Sequence, residues 1–208
     1  MSQVDEARRT SFDASAALYD EARPAYPEAL ADDVIARGGR RVLEIGAGTG
    51  ANLSHYGSSI ESLVVAEPQP PMLRRLQRTA HEHAPHAQVL QAPAEELPFE
   101  DDSFDTVVST LVLCGVDDQP RSLREARRVL RPGGKLLFLE HVRADDPGLA
   151  RFQDRMNWLN RFVVGCECNR QTLGAIEAAG FTVSKVEHTK TPKAPKFVQP
   201  LIVGAAVS

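Results

Sequence analysis

Gly46-Ala47-Gly48-Thr49-Gly50 sets three glycines at alternate positions directly after the apolar run Val42-Leu43-Glu44-Ile45. Glycine in such a loop gives a ligand bare backbone to lie against and allows dihedrals that other residues resist. The next apolar run, Leu63-Val64-Val65-Ala66, ends in Glu67. A carboxylate at the tip of the strand beside a glycine loop is placed to hydrogen-bond ribose hydroxyls. The spacing is G-x-G-x-G, which does not fit a dinucleotide site, where the third glycine of G-x-G-x-x-G packs a helix beside a pyrophosphate.

Other residues could do chemistry. His141 follows the apolar run Leu136-Leu137-Phe138-Leu139 and Glu140. It reads either as a half-buried packing histidine or as a proton acceptor at a strand tip. Cys114 is embedded in Leu111-Val112-Leu113 and reads as a small buried hydrophobe. Cys166 and Cys168 are the only cysteines close in sequence, and a C-x-C pair with no second cluster nearby is a poor metal site, so no metal is expected. His81, His83 and His86 lie in a polar stretch and read as surface residues. Trp158 reads either as a wall of an apolar pocket or as packing for a helical insertion.

The elements that must position these residues alternate. Strands are expected at 40–45, 62–67, 87–91, 104–110 and 135–140, with helices at 49–56, 70–83 and 119–130 between them. Arg131-Pro132-Gly133-Gly134 reads as a turn. Strict β-α alternation predicts a parallel sheet covered by helices on both faces. Helices near 147–163 and 169–179 follow, then strands at 181–188 and 197–207 joined by a Pro/Lys loop, which predicts an antiparallel hairpin at one edge. Before the sheet, residues 3–20 read as a helix with Phe12, Ala16 and Tyr19 on one face, and a second helix runs from Pro27 to the Gly38-Gly39 stop. The expected fold is α/β, Rossmann-like and doubly wound, with a seven-stranded, mostly parallel sheet. The expected organisation is one domain over 1–208: N-terminal helices or lid (1–38), cofactor-binding core (39–145), helical substrate-side insertion (146–180) and C-terminal hairpin (181–208).

Bulk properties narrow the partners. With 208 residues the chain is long enough for one well-buried core. A net charge of −4 provides no broad positive field for nucleic acid. Lys190, Lys193 and Lys196 read as a solvated loop. The N-terminal stretch lacks the apolar core of a signal peptide, no segment is apolar enough to span a bilayer, and three cysteines suit a reducing compartment, so cytoplasmic residence is expected.

The glycine loop resembles the first motif of class I S-adenosylmethionine-dependent methyltransferases. Four further segments carry the same resemblance: Ala94-Glu95-Glu96-Leu97-Pro98-Phe99 with Asp102-Ser103-Phe104-Asp105; Arg128-Val129-Leu130-Arg131-Pro132-Gly133-Gly134; and Gly180-Phe181. A narrower resemblance is to the methyltransferase-like group that includes alkyl thiol S-methyltransferases. It rests on Gly50-Ala51-Asn52, Tyr56, Thr110-Leu111-Val112-Leu113-Cys114, Glu140-His141-Val142, Phe152-Gln153, Trp158, Gly165-Cys166 and Arg170.

The resemblance implies that S-adenosylmethionine binds along Glu44, Gly46, Ala47, Gly48, Gly50, Asn52, Glu67, Pro68, Ala94, Glu95, Thr110 and Leu111. Glu44 would receive the cofactor's ammonium, Glu67 the ribose hydroxyls, and the backbone of Thr110 and Leu111 would line the methyl. Pro93 stands where many relatives carry an acid that reads the adenine amino group, and proline offers no side-chain acceptor. The adenine must then be read by backbone at Ala94 or by Glu95. His141 is the candidate catalytic residue, holding the acceptor as its anion. The expected activity is methyl transfer to a small molecule, with a thiol favoured. The alternatives are O- or N-methylation of a quinol, phenol or other metabolite, and a non-catalytic module that senses the cofactor.

Overall fold

The structure, a computed structural model, describes residues 40–56, 60–191 and 194–208. The expected helices over 3–20 and from Pro27 to Gly38, with Phe12, Ala16 and Tyr19, lie outside the described residues, as does Lys193.

Among the described residues, seven strands form one sheet: β1 (Arg41–Ile45), β2 (Ser62–Ala66), β3 (Gln88–Leu90), β4 (Phe104–Thr110), β5 (Leu130–His141), β6 (Thr182–Lys190) and β7 (Pro200–Val207). Their order is β3-β2-β1-β4-β5-β7-β6. The first five run parallel, and β7 inserts antiparallel between β5 and β6. The strand order reverses between β1 and β4, so the carboxyl ends of these strands open a crevice there.

β4 is buried along its whole length, as a central strand covered on both faces must be. Alternate residues feed two cores. Leu43, Val107, Leu136 and Phe138 face one side, with Leu123, Ala126 and Ile176. Val42, Val65, Val108 and Leu137 face the other, with Leu76 and Ala80. The helices that supply these partners are α1 (Pro70–His83), α2 (Gln119–Val129) and α4 (Thr172–Ala178). α1 starts on Pro70 and Pro71, where a missing amide hydrogen costs nothing, and buries Met72, Leu76 and Ala80 at helical spacing. α3 (Pro147–Val164) is capped by Asp146, whose carboxylate accepts the Leu149 amide at 2.7 Å, and ends at Gly165 in the left-handed region. Among the described residues, no helix is long and apolar enough to cross a membrane.

Three local expectations are corrected. The helix over 49–56 is only a 3-10 turn, Leu53–His55, because Gly48 and Gly50 sit at φ of 60° and 88° and break helical geometry before it. The turn at Arg131–Gly134 is part of β5. The pairing jumps from Phe104–Leu130 to Thr106–Lys135, so the extra residues bulge out, with Gly133 at φ 75°. The last strand begins at Pro200 rather than 197, since Phe197 leaves the sheet to pack edge-on against Phe152 of α3.

Candidate active site

The three glycines do different work. A Cβ at Gly46 would strike Val112 at 2.6 Å, and one at Gly50 would strike Leu53 at 2.7 Å. These two are glycine because protein packs on them. Among the described residues, a Cβ at Gly48 would meet nothing within 4 Å. Gly48 therefore presents bare backbone to open space, and that space is a cavity of about 310 Å³ at the strand tips.

Glu67 stands in that cavity at the end of β2, buried and fixed. Its Oε2 accepts the Gly48 amide and its Oε1 the Gln69 amide, both at 2.9 Å. Pro68 and Gln69 continue the wall, and Pro93, Ala94 and Glu95 face them. Glu95 Oε1 accepts the amides of Asp117 and Asp118 at 3.0 and 3.3 Å, so its carboxylate ties two loops together. Gln69 escaped the sequence reading. Its Oε1 is buried without a partner among the described residues, a vacancy that no spacing rule reveals.

Glu44, Ala47, Gly50, Asn52 and Thr110 do not line the cavity; Gly46, Gly48, Glu67, Pro68, Ala94, Glu95, Leu111 and His141 do. Glu44 is turned to Asn52, whose Nδ2 donates to Oε1 at 2.5 Å, and to Tyr56, whose hydroxyl donates to Oε2 at 2.9 Å. Asn52 Nδ2 also reaches Thr110 Oγ1 at 3.2 Å, leaving Asn52 Oδ1 without a partner among the described residues.

The turn after β4 is held by a residue whose role the sequence did not disclose. Glu140 is wholly buried. It accepts Ser109 Oγ at 2.7 Å and the amides of Val112, Leu113 and Cys114 at 3.1 Å each. Burial pushes its carboxyl pKa up, opposed by those four donors. Arg170 takes the other side of the turn, donating to the carbonyls of Leu113 and Val116 at 2.7 Å. So clamped, the turn keeps Leu111 at φ 57°, a conformation that costs about 1–2 kcal/mol for a side chain of this size.

The far end of the cavity holds Cys114, His141 and Cys166. His141 Nε2 lies 3.2 Å from Thr191 Oγ1, and its Nδ1 lies 3.5 Å from Cys166 Sγ and 3.9 Å from Cys114 Sγ. The Cys114 thiol is pushed well up in pKa by its hydrogen bond with Cys166 and by burial. Cys168, close to Cys166 in sequence, is not part of this cluster; it is buried elsewhere, its thiol raised to about 11 by desolvation. Trp158 neither walls the cavity nor packs the insertion, standing 70% exposed on α3. His81, His83 and His86 are exposed, as expected.

An S-adenosyl cofactor fits these residues: bare backbone at Gly48, a fixed carboxylate at Glu67 and an unpartnered acceptor at Gln69 converge on one cavity. The fold and site define a Rossmann-like nucleoside-binding enzyme. The family described as "Methyltransferase domain" matches residues 43–138. The human thiol S-methyltransferase TMT1A is 37% identical over 172 residues, covering 80% of this chain and 70% of that protein. Human thiol S-methyltransferase TMT1B is 36% identical over 176 residues with the same coverage. Among solved structures, an S-adenosylmethionine-dependent methyltransferase from Thermotoga maritima superposes with a TM-score of 0.67 at 24% identity, over 95% of this chain and 98% of that one. The [4+2]-cyclase SpnF gives 0.70 at 20% identity, over 87% and 80%. The structural likenesses are of fold alone. The chain belongs to the S-adenosylmethionine-dependent methyltransferases, and S-adenosylmethionine is its methyl donor.

Proposed function

We propose that this enzyme transfers a methyl group to the sulfur of a small thiol. The observation that carries the reading is the 37% identity to a thiol S-methyltransferase across 80% of the chain. S-adenosylmethionine supplies a methyl already activated on a sulfonium. The chain must bind it, aim it at the acceptor, exclude water and favour the acceptor's anion. Gly48 leaves room for the nucleoside, and Glu67, fixed at the end of β2 by the Gly48 and Gln69 amides, accepts the ribose hydroxyls. Gln69 Oε1 offers a further acceptor, and Ala94 lines the cavity beside Pro93 for the adenine. Glu44 acts through Asn52, orienting its amide beside Thr110. Glu140 and Arg170 fix the turn that carries Leu111 toward the methyl.

The acceptor enters at the end lined by Cys114, His141 and Cys166, beside the apolar Val112, Val116 and Val164. A free thiol has a pKa near 8.5 and is mostly protonated at pH 7. His141, its ring fixed by Thr191, lines that end of the cavity and favours the acceptor's anion. Cytoplasmic residence belongs to the same proposal; three free cysteines support it.

The test is a panel of alkyl and aryl thiols, phenols, quinols and amines, reading S-adenosylhomocysteine release. Turnover with thiols is expected. Turnover confined to phenols, quinols or amines overturns the acceptor assignment.

A further inference from the structure

Cys114, His141 and Cys166 arrive from three separate places: the turn after β4, the last residue of β5, and the segment just past α3. Their donor atoms nevertheless converge, all within 4.8 Å of one another, with all three residues buried. A tetrahedral zinc with Zn–S of about 2.3 Å and Zn–N of about 2.0–2.1 Å holds its ligand atoms about 3.5–3.8 Å apart. The separations from His141 Nδ1, 3.5 Å to Cys166 Sγ and 3.9 Å to Cys114 Sγ, are close to the edges of such a tetrahedron.

We propose that Cys114, His141 and Cys166 are a three-ligand zinc site whose fourth position opens into the cofactor cavity, where the acceptor thiol occupies it.

Four features favour this over incidental packing. Two sulfurs and an imidazole are a donor set that selects Zn²⁺ over Mg²⁺ or Ca²⁺. Two thiolates offset the charge of the cation, so the buried site is neutral overall. The ring nitrogen that faces away from the sulfurs meets Thr191 Oγ1 at 3.2 Å, the outer hydrogen bond that fixes a ligating histidine, and Thr191 is itself held by its amide donating to Gln199 O at 2.8 Å. All three ligands line the cavity, and three protein ligands with one open position is the arrangement of a catalytic zinc rather than a structural one.

The last element, the thiol as fourth ligand, rests on the proposed thiol acceptor; the metal site rests on geometry alone. On binding, the acceptor thiol releases its proton to solvent. A lone pair on its sulfur forms the new S–CH₃ bond while the cofactor's methyl–sulfonium bond breaks, that electron pair remaining on the cofactor's sulfur. The product is a neutral thioether, a weaker donor, which leaves. Zinc stays divalent throughout, and no oxidant or reductant is needed.

The experiment is metal loading of the purified full chain, any affinity tag removed, with Zn²⁺ and separately Co²⁺. After gel filtration, elemental analysis should find one metal per chain. The cobalt form should show thiolate-to-metal charge transfer and tetrahedral d–d bands, and a thiol acceptor should shift the latter. Cys114→Ser and Cys166→Ser should lose the metal, Cys168→Ser should keep it, and Thr191→Val should weaken binding about 10–100-fold. Retained S-adenosylhomocysteine binding by calorimetry identifies variants that still fold. Absence of stoichiometric metal, or equal binding by folded variants lacking Cys114 or Cys166, overturns the site. Undiminished thiol turnover by chelator-stripped protein overturns the zinc while leaving the thiol acceptor standing. A zinc-loaded enzyme that methylates phenols and ignores thiols overturns the acceptor and the fourth-ligand step, leaving the metal site.

Discussion

The carboxylate of Glu67 accepts the amide of Gly48 at 2.9 Å, joining the tip of β2 to the loop after β1 across the cavity mouth. The acid is thereby pre-aimed, and the loop is held in the left-handed turn that leaves Gly48 bare. Glu67→Ala removes charge-assisted hydrogen bonds to the ligand and to the loop. It should weaken S-adenosylmethionine and S-adenosylhomocysteine alike by about 1.5–3 kcal/mol in calorimetry. Unchanged affinity for both would take Glu67 out of the site.

The glycines should separate affinity from stability. Gly48→Val adds its side chain into the cavity, where no atom of the described residues lies within 4 Å of a Cβ. Cofactor binding should be lost while the fold is largely retained. Gly46→Ala drives a Cβ into Val112 and should cost about 1–3 kcal/mol in denaturant unfolding. Val at φ 60° also carries about 1–2 kcal/mol of backbone strain, so binding is the discriminating readout: intact cofactor binding in a folded Gly48→Val protein would contradict the division.

Glu140 is buried, and its carboxyl pKa is raised by that burial. A carboxyl whose folded pKa exceeds its unfolded one binds its proton more tightly in the native state. Its contribution is therefore fully present below the unfolded value and is lost as pH rises through the folded one. Stability should fall with pH in the window above the ordinary glutamate value of 4.5. Glu140→Gln should flatten that slope and cost about 1–3 kcal/mol, because an amide cannot accept from donors on both sides. Urea unfolding across pH reads both effects.

Asp154 of α3 tests how the helical insertion is held. The hydrogen bonds from Arg143, then from Asn169, lower its carboxyl pKa to about 2. Arg143 lies two residues beyond the β5 tip, and its Nη2 donates to Asp154 Oδ2 at 2.8 Å. The stabilisation is present above the unfolded carboxyl value and is lost as pH falls through about 2. Carboxyl NMR should show this low value returning toward about 3.9 in Arg143→Ala. A titration that does not move means the pair is not formed in solution.

His141→Ala should depress turnover most for thiols of high pKa, since acidic thiols are already ionised. The ratio of rates between the two thiol classes is the readout, because a folding defect lowers both equally. An unchanged ratio removes His141 from acceptor activation.

What the sequence disclosed was local. Gly46, Gly48 and Gly50 and the acid at 67 follow from spacing within single strand–loop units, and the β-α alternation gave the parallel order. The hairpin followed from two strands flanking a Pro/Lys loop. What it hid depends on distance or backbone. Cys114 and Cys166 lie 27 and 25 residues from His141, and only the sheet brings them together. Glu140 works by accepting backbone amides, which no residue type announces. The helix expected over 49–56 failed because left-handed glycines outweigh apolar periodicity there. The bulge in β5 looked like a turn because Pro132-Gly133-Gly134 has turn composition, yet antiparallel β7 holds that segment in the sheet, with Ser208 donating to Gly134 O at 3.0 Å.

Methyl transfer to sulfur is the central claim, and its most direct test is the fate of a labelled methyl. The enzyme is supplied with S-adenosylmethionine bearing a trideuterated methyl group and an acceptor that carries both a thiol and a hydroxyl. Mass spectrometry and NMR of the product should place the whole CD₃ group on sulfur, with one S-adenosylhomocysteine formed per thioether. Label on oxygen, or cofactor consumed with no thioether formed, would contradict the account.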